Sequence, residues 1–468
     1  MIEEEALPPG RRRLALATVF MAITMAVLDG AIANVALPTI AHDVHASPAA
    51  SIWVVNAYQL AVTVSLLPFA SLGEIYGYRR VYQGGLFLFT LASLLCALST
   101  SLPMLAAVRV IQGFGASGIM SVNAALVRFI MPRNLLGRGI GMNALVVAVA
   151  SAVGPTVASA ILSVAAWPWL FAVNVPIGIV AQLIAVGSLP ATPRSPHRFD
   201  WAAAGLSAAM FGLLIVAIDG VGHGENLTVP IVSFAGTALA AVLLVRRTLG
   251  QAAPMLPLDL FRRPIFALSS ATAVCSFTAQ SLAYVCLPFY FQDVLGRSQV
   301  ATGLLMTPWP LTVAVAAPIA GRLADRYPAG ILGGIGLALL AAGLVLVALL
   351  PAHPSNFDIV WRMTVCGAGF GFFQSPNAKA LIESAPRERT GGASGIMSTS
   401  RLLGQTTGAA LVALAFGIAA AQGTTTAIVM AAGFSVLASI VSSLRLMHAP
   451  PSANQAELAL PKRRRTPP

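Results

Sequence analysis

The chain has 468 residues, of which 57% are hydrophobic and only 9% charged, and its mean hydropathy is +0.82. Those values exclude a soluble globular protein and specify a polytopic membrane protein. A formal net charge of +12 raises nucleic acid as a partner, but only Lys379 and Lys462 are lysines and the arginines sit in short loops between apolar runs, which excludes a basic nucleic-acid face.

A spanning helix needs about 20 largely apolar residues, and fourteen segments meet that measure. After a tail at 1–13, six lie at roughly 14–37, 50–72, 80–100, 103–127, 138–164 and 167–189, forming a first bundle over 14–189. The first is read as a retained helix, because acids precede its arginines and no small-residue cleavage site follows. A linker region over 190–264 contains two further segments at about 201–219 and 229–248. A second bundle over 265–446 has segments at roughly 265–291, 300–321, 331–350, 358–382, 393–418 and 424–446, and a basic tail closes the chain at 447–468.

Fourteen spans put nearly every arginine on one side. Arg11 to Arg13, Arg79, Arg80, Arg128, Arg133, Arg138, Arg194, Arg198, Arg246, Arg247, Arg262, Arg263, Arg322, Arg326, Arg387, Arg389, Arg445 and the KRRR run at 462–465 all fall there, with Arg297 the exception. That side is expected to be the cytoplasm, with both termini inside. The chain also repeats: LPTIAHDVHASPAAS at 37–51 matches LPFYFQDVLGRSQVAT at 287–302 at an offset of 250, and PRNLLGRGIGM at 132–142 matches PRERTGGASGIM near 386–397 at 254. Two six-helix bundles related as parallel repeats, plus two inserted helices, are the expected all-α architecture, with a substrate site near the midplane between them.

Within the first apolar segment, LDGAIANVALP places one carboxylate, Asp29, about 22 Å along the helix from Leu14. A buried acid costs several kcal/mol unless paired, so Asp29 is a candidate proton carrier and cargo contact. Arg109 is the second intramembrane charge and cannot lose its proton, so it is a fixed counter-charge. Lys379 and Arg401 also fall within predicted helices, and Arg362 aligns close to Arg109 in the repeat. No acid aligns with Asp29; the offset gives Ala279, which argues against dication cargo.

Four stretches resemble the fourteen-helix drug:proton antiporter branch of the major facilitator superfamily. LDGAIANVALP is similar to its first-helix motif through Asp29, Asn34 and Pro38. ASLGEIYGYRR resembles its loop motif between helices two and three through Gly77, Arg79 and Arg80, with Glu74 for the usual Asp and Ile75 for Arg; GRLADRYPAG repeats the motif with Asp325 and Arg326. LAAVRVIQGFGAS fits the helix-four pattern through Arg109, Gln112 and Gly113, and SAVGPTVAS resembles the antiporter motif of helix five through Gly154 and Pro155. The resemblance implies proton-coupled export of lipophilic cationic or neutral compounds across the inner membrane by a monomer. It implies proton coupling at Asp29 and Arg109, gating by the loop residues and the Gly154-Pro155 bend, and no cofactor.

Cargo contacts are expected from Asp29, Asn34, Trp53, Tyr58, Gln59, Trp309, Phe373, Gln374 and Asn377, which offer apolar walls and a few polar anchors. Neither lysine follows a glycine, so no P-loop is present, and the six histidines form no ligand cluster. A dedicated exporter of one endogenous metabolite, lipid or antibiotic, and a non-transporting sensor or scaffold, stay open as alternatives.

Overall fold

The computed structural model describes residues 7–132, 135–192, 194, 199–222, 227–248, 258–386, 390–419 and 422–448. Arg133, His197, Arg198, His223, Arg387, Arg389 and the KRRR run lie outside them. The first bundle contains α1 (Pro9–Asp43), α2 (Pro48–Ser51), α3 (Trp53–Tyr76), α4 (Tyr78–Ala97), α5 (Leu102–Ile130), α6 (Leu136–Leu162), α7 (Trp169–Ala172) and α8 (Asn174–Ser188). A hairpin follows, α9 (Trp201–Gly222) and α10 (Thr228–Thr248). The second bundle contains α11 (Pro264–Phe289), α12 (Gln299–Met306), α13 (Pro308–Leu323), α14 (Ala329–Ala348), α15 (Asn356–Glu383), α16 (Thr390–Ile418) and α17 (Gly423–Leu444). Among the described residues, 13 helical stretches are long and apolar enough to cross a membrane. The remaining expected span coincides with α15, which has 28 residues but carries Asp358, Arg362, Lys379 and Glu383.

Long helices are the required answer here, because apolar surroundings offer backbone groups no partner and each segment must satisfy them internally. Short breaks are chemically marked. Ser47 caps α2 by accepting from the Ala50 N–H at 3.2 Å, and Ser298 caps α12 by accepting from the Ala301 N–H at 3.2 Å. The turns before them contain His45 at φ 52° and Gly296 at φ 63°. Both pairs stand 251 residues apart, so the extra residue of the second motif falls in the turn after Val294.

Helix packing shows a matched pair of close contacts at the second repeat offset, 254. A Cβ at Gly113 of α5 would lie 2.6 Å from the Tyr58 carbonyl oxygen of α3, and one at Gly367 of α15 would lie 2.3 Å from the Trp309 carbonyl oxygen of α13. Gly367 stands 254 residues after Gly113. By that offset Met363, fully buried, occupies the place of Arg109, and Arg362 is turned one residue away to pair with Asp358 at 3.1 Å. Arg362, expected close to Arg109 in the repeat, stands one helical position from the equivalent site.

Arginines at one face hold helix ends together. Arg11 Nε donates to the Ser188 carbonyl at 3.1 Å, Arg79 Nη2 to the Val186 carbonyl at 2.5 Å, and Arg263 Nη1 to the Ser384 carbonyl at 2.7 Å. Cations placed on C-terminal carbonyls complement the helix dipole. At the other face Arg297 Nη2 donates to the Pro354 carbonyl at 2.5 Å.

The two bundles meet at the end that carries residues 35–52 and 289–307. Gln292 Nε2 donates to the Val35 carbonyl at 3.2 Å, Ser159 Oγ to the Val300 carbonyl at 3.1 Å, and the Thr156 and Thr307 hydroxyls share a hydrogen bond of 2.8 Å. Around these bonds Ile32, Val35, Leu37, Ile40 and Ile52 join Phe289, Phe291, Leu305 and Met306 in one apolar cluster. Deeper in, the Thr63 and Thr406 hydroxyls bond at 3.0 Å between α3 and α16. The inserted hairpin lies along that seam, where Ile215 and Ile218 of α9 pack with Trp53, Leu60 and Ala410.

Replacing Gly113 or Gly367 by leucine forces side-chain atoms into a facing backbone, an overpacking cost of about 1–3 kcal/mol. Each variant is expected to melt earlier than wild type in detergent, measured by differential scanning fluorimetry.

Candidate functional site

Asp29 and Arg109 are 2% and 0% exposed. The α1 and α5 helices bring them into direct contact: Arg109 Nη1 donates to Asp29 Oδ2 and, at 2.7 Å, to Gln112 Oε1. Gln112 Nε2 donates to Asp29 Oδ1 at 2.9 Å and also reaches Ser93 Oγ on α4 at 2.9 Å. From α8, Asn174 Nδ2 donates to Asp29 Oδ1 at 3.1 Å. Every carboxylate oxygen thus has a donor, which is the condition for keeping a charge away from water.

Arg109 is held equally firmly. Its Nε donates to the Val54 carbonyl at 2.9 Å, its guanidinium lies 4.2 Å from the Tyr58 ring centroid, and Phe171 covers it at 5.5 Å. Tyr58 in turn donates its hydroxyl to the Ala26 carbonyl at 3.1 Å, so this tyrosine braces α1 and flanks the arginine. Arg109 Nη2 has no acceptor among the described residues.

Sequence reading singled out Asp29, Arg109 and Tyr58 and matched Gln112 only as part of a motif. It missed Asn174 and Ser93. An amide within the apolar segment 167–189 was the available signal for Asn174, by the same argument that drew attention to Asp29.

Gly154 lies directly behind the network. A Cβ there would stand 2.5 Å from the Ala31 side chain, so glycine is what lets α6 rest on α1 two residues from the acid. Pro155 occupies the next position, and Thr156 and Ser159 of the same helix make the bonds to the second bundle described above. Gly30, beside Asp29, has no atom within 4 Å of its Cβ position and faces open space.

The expected cargo residues separate into three groups. Asn34 and Gln59 carry buried amide oxygens without a hydrogen-bond partner among the described residues, as does the Trp309 Nε1. Phe373 is buried in a cluster with Phe277 and Phe370, ring centroids 6.4 and 5.7 Å away, and Trp309 stands edge-on to Tyr284 at 5.1 Å. Trp53 instead packs on the inserted hairpin, and Asn377 is committed to Arg445. Arg445, expected at the arginine-rich end of the last predicted segment, is 3% exposed and donates to Asn377 Oδ1 at 2.8 Å and Ser269 Oγ at 3.1 Å, while Asn377 donates to the Ser269 carbonyl at 3.2 Å. Gln374 is half-buried on the same helix.

The loop residues behave differently in the two bundles. Gly77 adopts φ 96°, a conformation that glycine takes freely, and its neighbour Tyr78 N–H is bound by Thr192 Oγ1 at 2.9 Å. Glu74 and Arg80 are exposed. Asp325 accepts from Lys379 Nζ at 2.5 Å, and that ammonium holds its carboxyl below the usual carboxylate range. Gating by these loop residues is what the resemblance implies; in this conformation Asp325 is engaged within its own bundle. Arg326 is exposed beside it, and Lys379, expected inside the membrane, lies at this surface pair.

Two bundles of apolar helices around a buried charge network define a membrane transporter. Residues 19–409 match the family model of the Major Facilitator Superfamily, and the chain belongs to that family. It is 54% identical over 447 residues to an uncharacterized transporter, YebQ, of Escherichia coli, covering 95% of this chain and 98% of that protein. It is 31% identical to the riboflavin transporter RibZ of Clostridioides difficile, covering 83% and 85%, and 31% identical to the multidrug resistance protein Stp of Mycobacterium tuberculosis, covering 85% and 75%. A bacterial homolog of the human lysosomal transporter Spinster, inward-facing and unoccupied, shares the fold with a TM-score of 0.68 at 16% identity, covering 93% and 97%. The family and these relatives are transporters, not enzymes.

Removing one partner of a buried pair leaves an uncompensated charge, a loss of about 3–5 kcal/mol. Arg109→Gln alone and Asp29→Asn alone are therefore expected to lower the melting temperature more than the double variant, in which both charges are gone. Thermal unfolding of the three purified variants checks the coupling.

Proposed function

We propose that the chain is a proton-coupled antiporter that exports lipophilic small molecules across the bacterial inner membrane by alternating access. In this reading it is a monomer with fourteen spans, α15 included, two parallel six-helix repeats, and both termini in the cytoplasm. The observation that carries it is the sequestered Asp29 carboxylate, held by Arg109, Gln112 and Asn174 and flanked by open space at Gly30. An intramembrane acid fully supplied with donors is a proton site with a built-in counter-charge.

Protonating Asp29 removes the attraction that holds Arg109, and α1 is then free to move against α5. The Gly154–Ala31 contact passes that movement to α6, whose Thr156 and Ser159 hold α12 and α13 of the other bundle. A proton taken up in one bundle is in this way linked to the interface that opens and closes. The end held by these bonds is the one poor in arginine, so the conformation is closed toward the outside.

The resemblance implies cationic or neutral cargo, with Asp29 as a cargo contact. Both Asp29 oxygens are engaged within the first bundle, so proton and cargo exchange through the Asp29–Arg109 pair and not by direct competition for a bare acid. Stp supports a drug substrate by its name, and RibZ, a riboflavin transporter by its name, supports a cargo restricted to one metabolite without indicating a direction of transport.

Purified protein in proteoliposomes with an imposed pH gradient is expected to move protons when a transported dye or drug is added. Asp29→Asn is expected to abolish that flux while retaining binding of the same compound; full flux in this variant excludes Asp29 as the coupling site. Gly154→Leu, which wedges α6 from α1, is expected to reduce flux at least tenfold and, as at Gly113 and Gly367, to melt earlier than wild type.

A further inference from the structure

Arg109, Arg362 and Arg445 each donate to oxygen acceptors from within or beside the apolar layer. Arg401, on α16, does not. It is half-buried, its Nε is enclosed without an acceptor, and no hydrogen bond or ion pair joins it to any described residue.

Its direction follows from the contacts of its helix. Gly404 and Gly408 press on the Val274 and Thr278 carbonyls of α11, each oxygen 2.5 Å from the respective Cβ position. Leu402 packs with Tyr58, Val62 and Leu66 of the first bundle, and Thr406 bonds Thr63 of α3. Ala410, Leu411 and Leu414 face Ile215 and Ile218 of α9. At roughly 100° per residue, Arg401 falls between the α11 face and the α3 face and opposite the α9 face, which aims it into the cleft between the bundles. Gln59 borders the same cleft from α3; counted from the Thr63–Thr406 bond along the antiparallel pair, it stands roughly 14 Å from Arg401 toward the closed end.

Charge balance decides what such a residue meets. Among the described side chains Asp29 is the one acid buried at mid-span, and Arg109 neutralises it. Asp325 and Glu383 are with Lys379, Asp358 is with Arg362, and Asp200 is with Arg247, all at helix ends. Glu74, Asp43 and Asp293 are exposed at the ends of their helices. The cleft wall therefore carries one uncompensated positive charge.

We infer that Arg401 is an anion-recognition position and that the cargo is an apolar, aromatic-sized molecule bearing a carboxylate, phenolate or comparable anionic group. The guanidinium fork supplies paired donors to such a group, and its partial burial removes the competing water that weakens exposed pairs. This deepens the exporter reading and rests on it only for the route the cargo takes.

Binding in nanodiscs without any pH gradient tests the inference apart from coupling. The probes are fluorescein, a dianion, and tetramethylrhodamine methyl ester, a cation on the same xanthene core, followed by fluorescence anisotropy. Wild type is expected to bind fluorescein more tightly than the cation. Arg401→Gln is expected to weaken fluorescein roughly tenfold or more without weakening the cation, and Arg401→Lys is expected to retain part of the affinity. Equal binding of fluorescein by wild type and Arg401→Gln, or tighter binding of the cation by wild type, overturns the inference. Asp29→Asn tested alongside keeps the outcomes separate: loss of proton flux with fluorescein binding intact belongs to the coupling site, whereas loss of the dye preference in Arg401→Gln with flux of other compounds intact belongs to the cargo site. Arg401→Gln and Arg401→Lys that elute as single species of wild-type size exclude misfolding.

Discussion

One buried ion pair sets the terms for the first bundle. Asp29 and Arg109 lie where neither can be hydrated, so each must be supplied with partners by neighbouring helices. Five helices comply: α1 and α5 bring the charges, α3 brings the Val54 carbonyl and the Tyr58 ring, α4 brings Ser93, and α8 brings Asn174. Their relative rotations are fixed by this requirement as much as by apolar packing, which in a bilayer has little preference between helix and lipid.

The second bundle solves a different problem with similar helices. In place of the Asp29–Arg109 pair it has Ala279 and Met363, both fully buried, and its own buried arginine, Arg445, lies at the helix ends with serine and asparagine partners. A charge there ties α11, α15 and α17 together near the surface and leaves the middle of the bundle apolar. The buried mid-span ion pair is thereby confined to one half, while the other supplies aromatic clusters and Arg401, which has no partner among the described residues.

On one side of the molecule the contact between the halves runs through α6. Its glycine permits contact with α1 beside the acid, its proline lies one residue on, and its Thr156 and Ser159 reach across to the other bundle. The hairpin of α9 and α10 covers the opposite seam, between α3 and α16, with Ile215 and Ile218 against Trp53 and Ala410. Two seams built so differently, one polar and small, one apolar and broad, give the assembly one side suited to rearrangement and one suited to cohesion.

Hydropathy alone determined the membrane class and the position of nearly every helix to within a few residues, because an apolar run of spanning length has no other stable form. The isolated charge at Asp29 was legible for the same reason: polar atoms are rare enough in such runs that each one stands out. The internal offset was legible too, and the matched Gly113 and Gly367 contacts obey it. What sequence could not supply was direction around each helix. One residue is about 100° of rotation, so sequence could not tell that Arg362, close to Arg109 in the repeat, turns to Asp358, that Trp53 packs on the hairpin, or that Asn377 accepts from Arg445. Tertiary structure alone decided that Asp29 is paired, that Asn174 completes its shell, and that Arg401 stands without a partner among the described residues, because each of these depends on which faces of separate helices meet.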